Sequence, residues 1–449
     1  MPSATPSSGA VSSGAGRSSS VVVIGGGIAG LAAAWELTGG DSGATVGGPR
    51  VTVLEASSRL GGALRSEEFA GRAVDLGPDG VLGRRPEAVD LCRAVGLGEE
   101  LVPIGASGAS VWARGRLRPM PGALALGVPT RWWPVARSGV LGVGGSLRLA
   151  RDALAPRPSR RGPIGDRALG PLVADKLGSK VVATLVDPLV GGINAGSVAD
   201  MSTAAVSPTL LAAAGQRVGL MRALRRIQSS SLAGGATESA TAHAPAFWAL
   251  ERGLGSLVER LSDLLVERGV QLCTGLAAAR LERADSEAPP WIVRSPAGSF
   301  AADGVVLATP APIARDLLTP HDAEAATLLG GIDHASVAVV TLQFPADALA
   351  QPLFGTGFLV PRGSALPGGE PEVLMTACTF LSQKWPHLAR QGDVLLRASI
   401  GRFGDDRPAR LGDDAVVARV VGELTAILGL LTGPTAARVT RGPGWPGSS

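Results

Sequence analysis

The sequence predicts a chain of mixed α/β and α+β class, on the basis of three features. Residues 21–37 read as a short β-branched strand, a glycine-rich turn and an Ala/Leu helix. A second apolar strand, 51–54, ends at Glu55. The first two features predict a parallel sheet with a nucleotide site. A third feature, the segments 335–344, 356–361, 372–380 and 393–401, reads as strands of an antiparallel sheet.

Length, composition and net charge limit the number of domains and the classes of ligand. A chain of 449 residues is long enough for two or three domains, and a 45% hydrophobic content provides their cores. Its 42 basic and 38 acidic residues give a net charge of +4, too small to indicate nucleic-acid binding. A modest positive charge instead favours an acidic small molecule, since the field of the whole protein steers such ligands.

Gly25, Gly27 and Gly30 form a G-x-G-x-x-G turn between the first strand and the helix. In a dinucleotide site the first glycine permits the tight turn and the second lets the backbone approach the pyrophosphate. The third lets helix and strand pack closely, and the helix N-terminus faces the phosphates. An isolated motif of this kind also occurs in ordinary glycine-rich turns. The second strand and its terminal carboxylate favour the nucleotide site.

Glu55 is placed to accept hydrogen bonds from the two hydroxyls of an adenosine ribose. It follows Gly30 at slightly more than the usual spacing of about 20 residues. The polar, glycine-rich stretch 39–49 accounts for the extra length as a longer turn before the strand. A carboxylate here would repel the 2′-phosphate of NADP, which argues against that ligand.

The residues after Glu55 extend the pattern to E-A-x-x-R-x-G-G, through Ala56, Arg59, Gly61 and Gly62. This pattern resembles the FAD-binding start of the flavin amine oxidase superfamily. The resemblance implies FAD as the cofactor, with the arginine and the added glycines lining the diphosphate. It also implies a Rossmann-like FAD-binding domain, an antiparallel-sheet substrate domain and a helical insertion.

The segment 75–80, DLGPDG, suits a backbone loop that passes close to a ligand. Its two glycines supply conformational freedom and its two aspartates supply turn hydrogen bonds. Arg84 and Arg85 follow shortly after this loop. Two adjacent arginines most often form a solvated surface. Beside a flavin loop, however, Arg85 is a candidate for binding a substrate carboxylate.

Over nearly its whole length, the sequence resembles the bacterial protoporphyrinogen/coproporphyrinogen oxidase family, of the coproporphyrinogen III oxidase type. The resemblance is carried by VVVIGGGIAGLAAA, LEASSRLGGALRS, VDLGPDGVLGRRPEAVDL, KWP and GRFGDD, and most specifically by PLVGGINAG at 188–196. It implies FAD-dependent oxidation of coproporphyrinogen III to coproporphyrin III in heme biosynthesis, with O₂ as acceptor and H₂O₂ as product. Because the flavin carries the oxidation, no catalytic side chain is predicted.

The same reasoning gives the expected site residues. Substrate contacts are expected from Arg85, Ile193, Asn194, Gly357 and Phe358. Cofactor contacts are expected from the glycine turn, the ribose carboxylate with its neighbours, the DLGPDG loop and one later residue: Gly25, Gly26, Gly27, Ile28, Ala29, Gly30, Glu55, Ala56, Arg59, Gly62, Gly77, Pro78, Asp79, Gly80 and Ala278.

Three alternative functions stay open at this point. The substrate of the first is protoporphyrinogen IX, whose two propionates make it less acidic than the four-propionate coproporphyrinogen. The second is another flavin enzyme, an amine oxidase or a desaturase, and the third is an inactive, truncated porphyrin-binding remnant. We also expect this protein to contact the next heme-pathway enzyme, to which it would pass its product.

Cysteine usage indicates a reduced, cytoplasmic compartment, because Cys92, Cys273 and Cys378 are far apart and form no C-x-x-C pair. The four histidines show no ligand spacing, so we expect no metal site. No run of 18 apolar residues occurs, so we expect at most a peripheral membrane contact, through the Trp- and Arg-bearing stretch 119–150.

Helices are expected at 169–190 and 204–227, and a low-complexity loop at 229–243. The expected domain arrangement is a disordered leader at 1–20, an FAD-binding domain at 21–90 and 245–312, a helical substrate-side insertion at 91–244, an antiparallel-sheet substrate domain at 313–440 and a divergent tail at 441–449. The family pattern continues differently after Thr440, where this chain reads RGPGWPGSS. We therefore expect the C-terminal part of the FAD-binding domain to be missing.

Overall fold

The computed structural model describes residues 19–43, 48–154, 165–216, 218–233, 245–284, 289–367 and 372–442. Its strands are β1 (Ser20–Ile24), β2 (Arg50–Leu54), β3 (Ser66–Phe69), β4 (Arg72–Asp75), β5 (Val81–Leu82), β6 (Leu101–Pro103), β7 (Ser110–Ala113), β8 (Arg116–Pro119), β9 (Leu124–Ala125), β10 (Val128–Pro129), β11 (Phe247–Leu250), β12 (Gln271–Cys273), β13 (Arg280–Arg283), β14 (Trp291–Ser295), β15 (Gly298–Ala302), β16 (Gly304–Leu307), β17 (Ala338–Pro345), β18 (Gly357–Leu359), β19 (Met375–Phe380), β20 (Asp393–Ile400) and β21 (Ala436–Arg441). Its helices are α1 (Ile28–Leu37), α2 (Pro86–Ala94), α3 (Trp132–Ser138), α4 (Gly142–Leu154), α5 (Leu169–Leu177), α6 (Ser179–Val181), α7 (Thr203–Val206), α8 (Pro208–Ala214), α9 (Leu220–Ala233), α10 (Gly255–Glu267), α11 (Ala311–Leu318), α12 (Ala323–Gly330), α13 (Leu381–Lys384) and α14 (Asp413–Leu428).

The chain forms two compact units. The smaller comprises the described residues up to Gly62 together with Val258–Ile332, and the larger comprises Ala63–Leu257 with the described residues from Asp333 onward. These divisions differ from the predicted domain boundaries at 90, 245 and 312. The difference has a local cause, because the β3–β4 hairpin and the β5–β11–β6 sheet lie within the larger unit. The assignment of functional domains to these segments stays a prediction.

The smaller unit contains a four-stranded sheet in the order β12-β2-β1-β16, with every pairing parallel. The β-branched runs of β1 and β2 explain this, since strands covered on both faces read as continuous apolar segments. Val22, Ile24 and Leu54 are buried there, with Val293 and Leu317, in one core cluster. The predicted strand, glycine turn and helix are confirmed, and α1 begins at Ile28.

The predicted leader reaches too far into this sheet. Ser20 already belongs to β1, because its backbone N–H and its hydroxyl both donate to Asp303 Oδ2, at 2.7 and 2.9 Å. Residues 1–18 lie outside the described residues.

The larger unit contains a seven-stranded sheet in the order β21-β17-β20-β19-β18-β7-β8. The four segments predicted as antiparallel strands are β17 to β20, and they pair antiparallel with one another. The sequence analysis did not anticipate β7 and β8, which come from the stretch predicted as a helical insertion and join this sheet through a parallel β18–β7 pairing. Helix α14 packs its buried Val416, Val420 and Leu424 into the same core.

The long helices predicted for the middle of the chain are broken into shorter ones. The helix expected at 169–190 stops at Gly178, which has a φ of +100° that continues no right-handed helix. After α6 it resumes as a π-helical stretch, Val182–Gly191. Pro208 starts α8 and so divides the second predicted helix. Helix α9 runs through Ala233, so the loop expected from 229 begins later, and residues 234–244 lie outside the described residues.

The last strand reaches into the segment predicted as a divergent tail at 441–449. In β21, Arg441 still pairs with Ala338 of β17. Residues 443–449 lie outside the described residues. Over the described parts of the chain, every helix is too short or too polar to cross a lipid bilayer.

Candidate functional site

Two glycines of the first turn are required by the packing of the protein itself. Gly25 has a φ of +108°, and a Cβ built there would lie 2.5 Å from the carbonyl oxygen of Ala308. A Cβ on Gly30 would lie 1.9 Å from the carbonyl oxygen of Gly25. Any side chain at either position would therefore push α1 away from the parallel sheet.

Gly27 is different, because no protein atom requires it. It is the N-cap of α1 with an ordinary φ of −70°, and the nearest atom to a Cβ there is the Gly62 Cα at 4.0 Å. The space in front of Gly27 is thus open to a ligand. The amides of Ile28, Ala29 and Gly30 open the helix, where amides have no intrahelical partner, and the first turn carries no acidic residue. This arrangement favours an anion such as a pyrophosphate.

The Glu55 carboxylate is held at the end of β2 by backbone and side-chain donors. Its Oε2 accepts from the backbone N–H of Gly26 at 2.7 Å, and its Oε1 accepts from the N–H and the hydroxyl of Ser57 at 2.8 and 2.7 Å. A carboxylate has about four acceptor positions. Three of these are used, so Glu55 keeps about one acceptor position for a ribose hydroxyl while its orientation is fixed.

The loop after Glu55 packs directly on the glycine turn. The N–H of Gly61 donates to the carbonyl of Gly26 at 2.8 Å. Gly62, with a φ of +57°, lies close to Gly27: a Cβ added to Gly62 would lie 3.3 Å from the Gly27 Cα. Arg59 donates to the carbonyls of Leu60 and Gly62 at 3.2 and 2.6 Å, so its guanidinium closes its own loop.

The other predicted cofactor residues of the smaller unit lie at the same end of the sheet. Ala56 begins the loop that closes on the glycine turn. Ala278 is half-buried against the core just before β13, in a stretch that is anchored where the N–H of Leu276 donates to the carbonyl of Glu55 at 2.8 Å. The smaller unit thus brings together the residues at 25–30, 55–62 and 278 and fits the adenosine diphosphate half of FAD. The individual contacts stay predictions.

The DLGPDG loop lies in the larger unit, where its glycines are tightly packed. A Cβ on Gly77 would lie 2.0 Å from the carbonyl oxygen of Ala63, and one on Gly80 would lie 2.8 Å from the Trp385 ring. Pro78 is exposed at the tip of the loop. The close packing on both sides of Pro78 fixes the path of the backbone.

Asp79 is clamped by two residues far along the chain. Lys384 Nζ lies 3.0 and 2.9 Å from its two carboxylate oxygens, and the Trp385 indole N–H donates to Oδ2 at 3.0 Å. Burial raises the pKa of Asp79, but the charges of Lys384 and Arg397 outweigh burial and hold the pKa below its ordinary value. Asp79 therefore anchors the loop as a carboxylate.

Asp75 anchors the other end of the loop. Its Oδ1 accepts from the Ser66 hydroxyl at 2.5 Å and from the N–H of Leu254 at 2.8 Å, just before α10. Arg397 donates to the backbone carbonyls of Asp75 and Gly77. Burial raises the pKa of the Asp75 carboxyl to about 6, although its hydrogen bonds and Arg397 act in the opposite direction.

We expect the Asp75 carboxyl to make stability pH-dependent. Its folded-state pKa lies above its ordinary value, so the folded protein binds this proton more tightly than the unfolded chain, and its contribution to stability falls as pH rises from about 4 to about 6. Asp75→Asn removes this dependence. As the pH is raised from about 4 to about 7, the unfolding free energy of the variant minus that of wild type should therefore increase by up to about 3 kcal/mol. Parallel denaturant titrations of both proteins measure this difference, and a pH-independent difference would contradict the prediction.

The predicted substrate residues have different environments. Arg85 is exposed at the N-cap of α2, and Ile193 is 71% exposed. The Asn194 side-chain amide donates to the Val190 carbonyl at 2.8 Å. Phe358 is only 2% exposed and packs against Phe380, because β18 is an interior strand. Its ring belongs to the core of the larger unit.

Gly357, the neighbour of Phe358, is required by packing. It has a φ of +149°, and a Cβ there would lie 2.1 Å from the Cys378 carbonyl oxygen. None of these environments tests a substrate contact, and the five assignments stay predictions.

Sequence reasoning missed the residues that hold the DLGPDG loop, namely Lys384, Trp385 and Arg397. A signal was present for the first two, because the segment KWP at 384–386 is one of the stretches that carry the family resemblance. No local pattern marks Arg397, which lies inside the apolar strand β20.

Comparison with known proteins agrees with this geometry. The profile of a family described as flavin containing amine oxidoreductase matches residues 28–444. The coproporphyrinogen III oxidase of Bacillus subtilis (strain 168) is 29% identical over 425 residues, covering 94% of this chain and 85% of that protein. The coproporphyrinogen III oxidase of Mycobacterium bovis is 33% identical over 432 residues, with the same two coverages of 94% and 85%.

A solved structure shows the same architecture. A protein from Exiguobacterium sp. 255-15, described provisionally as a protoporphyrinogen oxidase, matches with a TM-score of 0.79 and 31% identity, covering 94% of this chain and 86% of that one. The predicted fold class is thereby confirmed. Because the family profile spans most of the chain and the dinucleotide cradle fits the cofactor, the chain belongs to the flavin-containing amine oxidoreductase family and is an enzyme whose cofactor is FAD.

Proposed function

We propose that this enzyme oxidises a porphyrinogen to the corresponding porphyrin in heme biosynthesis, with coproporphyrinogen III as substrate and O₂ as electron acceptor. The observation that carries the proposal is the near full-length similarity to relatives named coproporphyrinogen III oxidase, over 94% of the chain. The dinucleotide cradle of the smaller unit supports it, because the reaction needs a bound redox cofactor.

The reaction removes six electrons and six protons from the macrocycle, as one hydrogen from each of the four saturated bridges and two from pyrrole N–H groups. FAD, when bound, supplies the acceptor for hydride from carbon. The balance closes with three molecules of O₂ reduced to three of H₂O₂. The protein's own tasks are to hold the diphosphate at the N-terminus of α1, to hold an apolar macrocycle in place, and to neutralise its propionates.

Coproporphyrinogen III is the preferred substrate on electrostatic grounds. Its four propionates make it more acidic than protoporphyrinogen IX with two, and the chain carries a net charge of +4. The test uses FAD-loaded protein and follows the appearance of fluorescent porphyrin and of H₂O₂. We expect faster turnover of coproporphyrinogen III, with added salt slowing it more than protoporphyrinogen IX.

Other outcomes of this assay are equally informative. Flavin-loaded protein that leaves both porphyrinogens unoxidised would refute the proposal. The second candidate, protoporphyrinogen IX oxidation, is favoured by the provisional description of the Exiguobacterium structure. Equal rates at every salt concentration would remove the basis for choosing between the two substrates.

Arg85 is the proposed contact for a substrate carboxylate. Its side chain is exposed beside α2, and a bidentate pair that becomes desolvated on binding contributes about 1.5–3 kcal/mol. We therefore expect Arg85→Ala to raise KM for coproporphyrinogen III about 10- to 100-fold with unchanged flavin content. Arg93→Ala is the control, because Arg93 is exposed on the same helix and pairs with Asp90. Equal KM values for wild type and Arg85→Ala would mean that Arg85 is part of the solvated surface and does not contact a substrate carboxylate.

We place the enzyme in a reducing cytoplasm, with hand-off of its product to the next heme-pathway enzyme. The support is chemical, since Cys92, Cys273 and Cys378 are free thiols in the structure.

A further inference from the structure

We propose that a pocket beside the π-helical stretch Val182–Gly191 is a subsite for one carboxylate arm of the substrate, with Arg402 as its anchor. This inference rests on the proposed function, because it assigns the pocket to a porphyrinogen. It concerns only residues of the larger unit.

Backbone and small residues form much of the pocket. It is a small pocket that could not hold a whole macrocycle, and its lining includes Asp187, Gly191, Gly192, Ala195, Thr376 and Arg402. Packing requires Gly191, where a Cβ would lie 2.8 Å from the Gly196 carbonyl oxygen. Gly192 has helical dihedrals, and a Cβ added to it would meet nothing within 4 Å, so it leaves this part of the pocket clear without being needed by the fold.

The Arg402 guanidinium makes no hydrogen bond or ion pair with any described residue, although it is half-buried. Its neighbour Arg407 takes the available carboxylates. Arg407 binds both oxygens of Asp405, at 2.8 and 2.7 Å, and reaches Glu372 at 3.2 Å. Burial lowers the pKa of Arg402 and the charge of Arg362 lowers it further, while the nearby carboxylates of Asp187, Asp405 and Glu372 act in the opposite direction. A half-buried guanidinium of this kind favours an incoming anion.

Asp187 is engaged by groups other than Arg402. Its Oδ1 accepts from the N–H of Val198 at 3.2 Å, and its Oδ2 lies 4.0 Å from Arg362 Nε. Asp187 therefore makes no direct ion pair with Arg402. The planar fork of Arg402 matches a carboxylate with two parallel hydrogen bonds.

The rim of the pocket adds an apolar surface. Ile193 is 71% exposed and Phe403 is 46% exposed. Their loops are joined where the N–H of Phe403 donates to the carbonyl of Ala195 at 2.6 Å. Ala195 has a φ of +49°, and a left-handed conformation costs a non-glycine residue about 1–2 kcal/mol. An exposed apolar rim beside the Arg402 guanidinium suits an apolar ring that carries carboxylate arms.

The test compares Arg402→Gln with Arg410→Gln, a matched control on an arginine that is 75% exposed and pairs with Asp406. Three quantities are measured: the Kd of coproporphyrin III, from fluorescence titration, and KM and kcat for coproporphyrinogen III. We expect Arg402→Gln to raise Kd and KM about 10- to 100-fold with a smaller change in kcat. Arg402→Lys should recover part of the loss, and Arg410→Gln should match wild type.

Gly192→Ala provides an independent variant, because it narrows the pocket without altering charge and its Cβ meets nothing within 4 Å. It should weaken coproporphyrin III binding as well. Wild-type affinity in both Arg402→Gln and Gly192→Ala would overturn the subsite, even if the wild-type enzyme oxidises coproporphyrinogen III. If instead no porphyrinogen is oxidised by the wild-type enzyme, the proposed function fails, and the Kd values still decide whether Arg402 binds a porphyrin carboxylate.

Discussion

Gly27→Val should purify as a folded protein that has lost most of its flavin. A Cβ added at Gly27 meets no protein atom closer than 4.0 Å, so a side chain can start there and occupy the space in front of the α1 N-terminus. It would displace the pyrophosphate and remove at least one hydrogen bond to a charged group, worth about 1.5–3 kcal/mol. The affinity for FAD should therefore fall at least about 10- to 100-fold. Flavin absorbance per protein and titration of the apoprotein with FAD measure this loss.

Two controls separate loss of the ligand site from loss of the fold. Gly304→Ala places a methyl at ordinary contact distance, 3.8 Å from Val21, in the same parallel sheet, and should keep its flavin. Gly30→Val should fail to fold, because its Cβ would lie 1.9 Å from the Gly25 carbonyl oxygen. A Gly27→Val protein with the full flavin content of wild type would show that the pyrophosphate does not bind here.

Glu423→Leu should destabilise the larger unit by about 3–5 kcal/mol, because it leaves two buried amides without acceptors. Glu423 is only 1% exposed in the middle of α14. Its two oxygens accept from the N–H groups of Leu374 and Met375, at 2.7 and 3.0 Å, and Arg419 donates to it at 2.8 Å. Leucine has a similar volume and a higher helix propensity, so the loss measures the missing acceptors. Urea unfolding followed by tryptophan fluorescence gives the change in free energy.

Glu259→Leu is the matched control for this substitution. Glu259 is exposed on α10, and the same change there should alter stability by no more than about 0.5 kcal/mol. A Glu423→Leu protein as stable as wild type would mean that the amides of Leu374 and Met375 find other partners.

The cofactor site could be predicted largely from the sequence, because its chemistry depends on neighbours along the chain. The order of strand, glycine turn and helix places the α1 amides, and Glu55 needs only its position at the end of β2 to reach the same edge of the sheet. The stretches that carry the family resemblance predicted FAD and the class of enzyme in the same way. Both were confirmed by the family match over residues 28–444.

Local sequence patterns predicted the secondary structure and strand pairing of the larger unit less well. A continuous helix was expected at 169–190, yet Gly178 and the π-helical stretch interrupt it, and β7 joins β18 across a long separation in sequence. Hydrophobic periodicity does not specify which distant strand a short apolar segment will pair with. The ring of Phe358 belongs to the core for the same reason, since its neighbours come from the strands around β18.

By itself, the sequence determined the dinucleotide cradle and the family of this enzyme, because both depend on residues close together along the chain. Only the tertiary structure decided which charges are paired and which are not. Asp79 meets Lys384 across 305 residues, and Glu423 supplies acceptors to amides nearly 50 residues away. Among the described residues, the Arg402 guanidinium makes no hydrogen bond or ion pair, whereas that of Arg407 binds Asp405. The state of a charge depends on burial and on its spatial neighbours, and these are set only when the chain has folded.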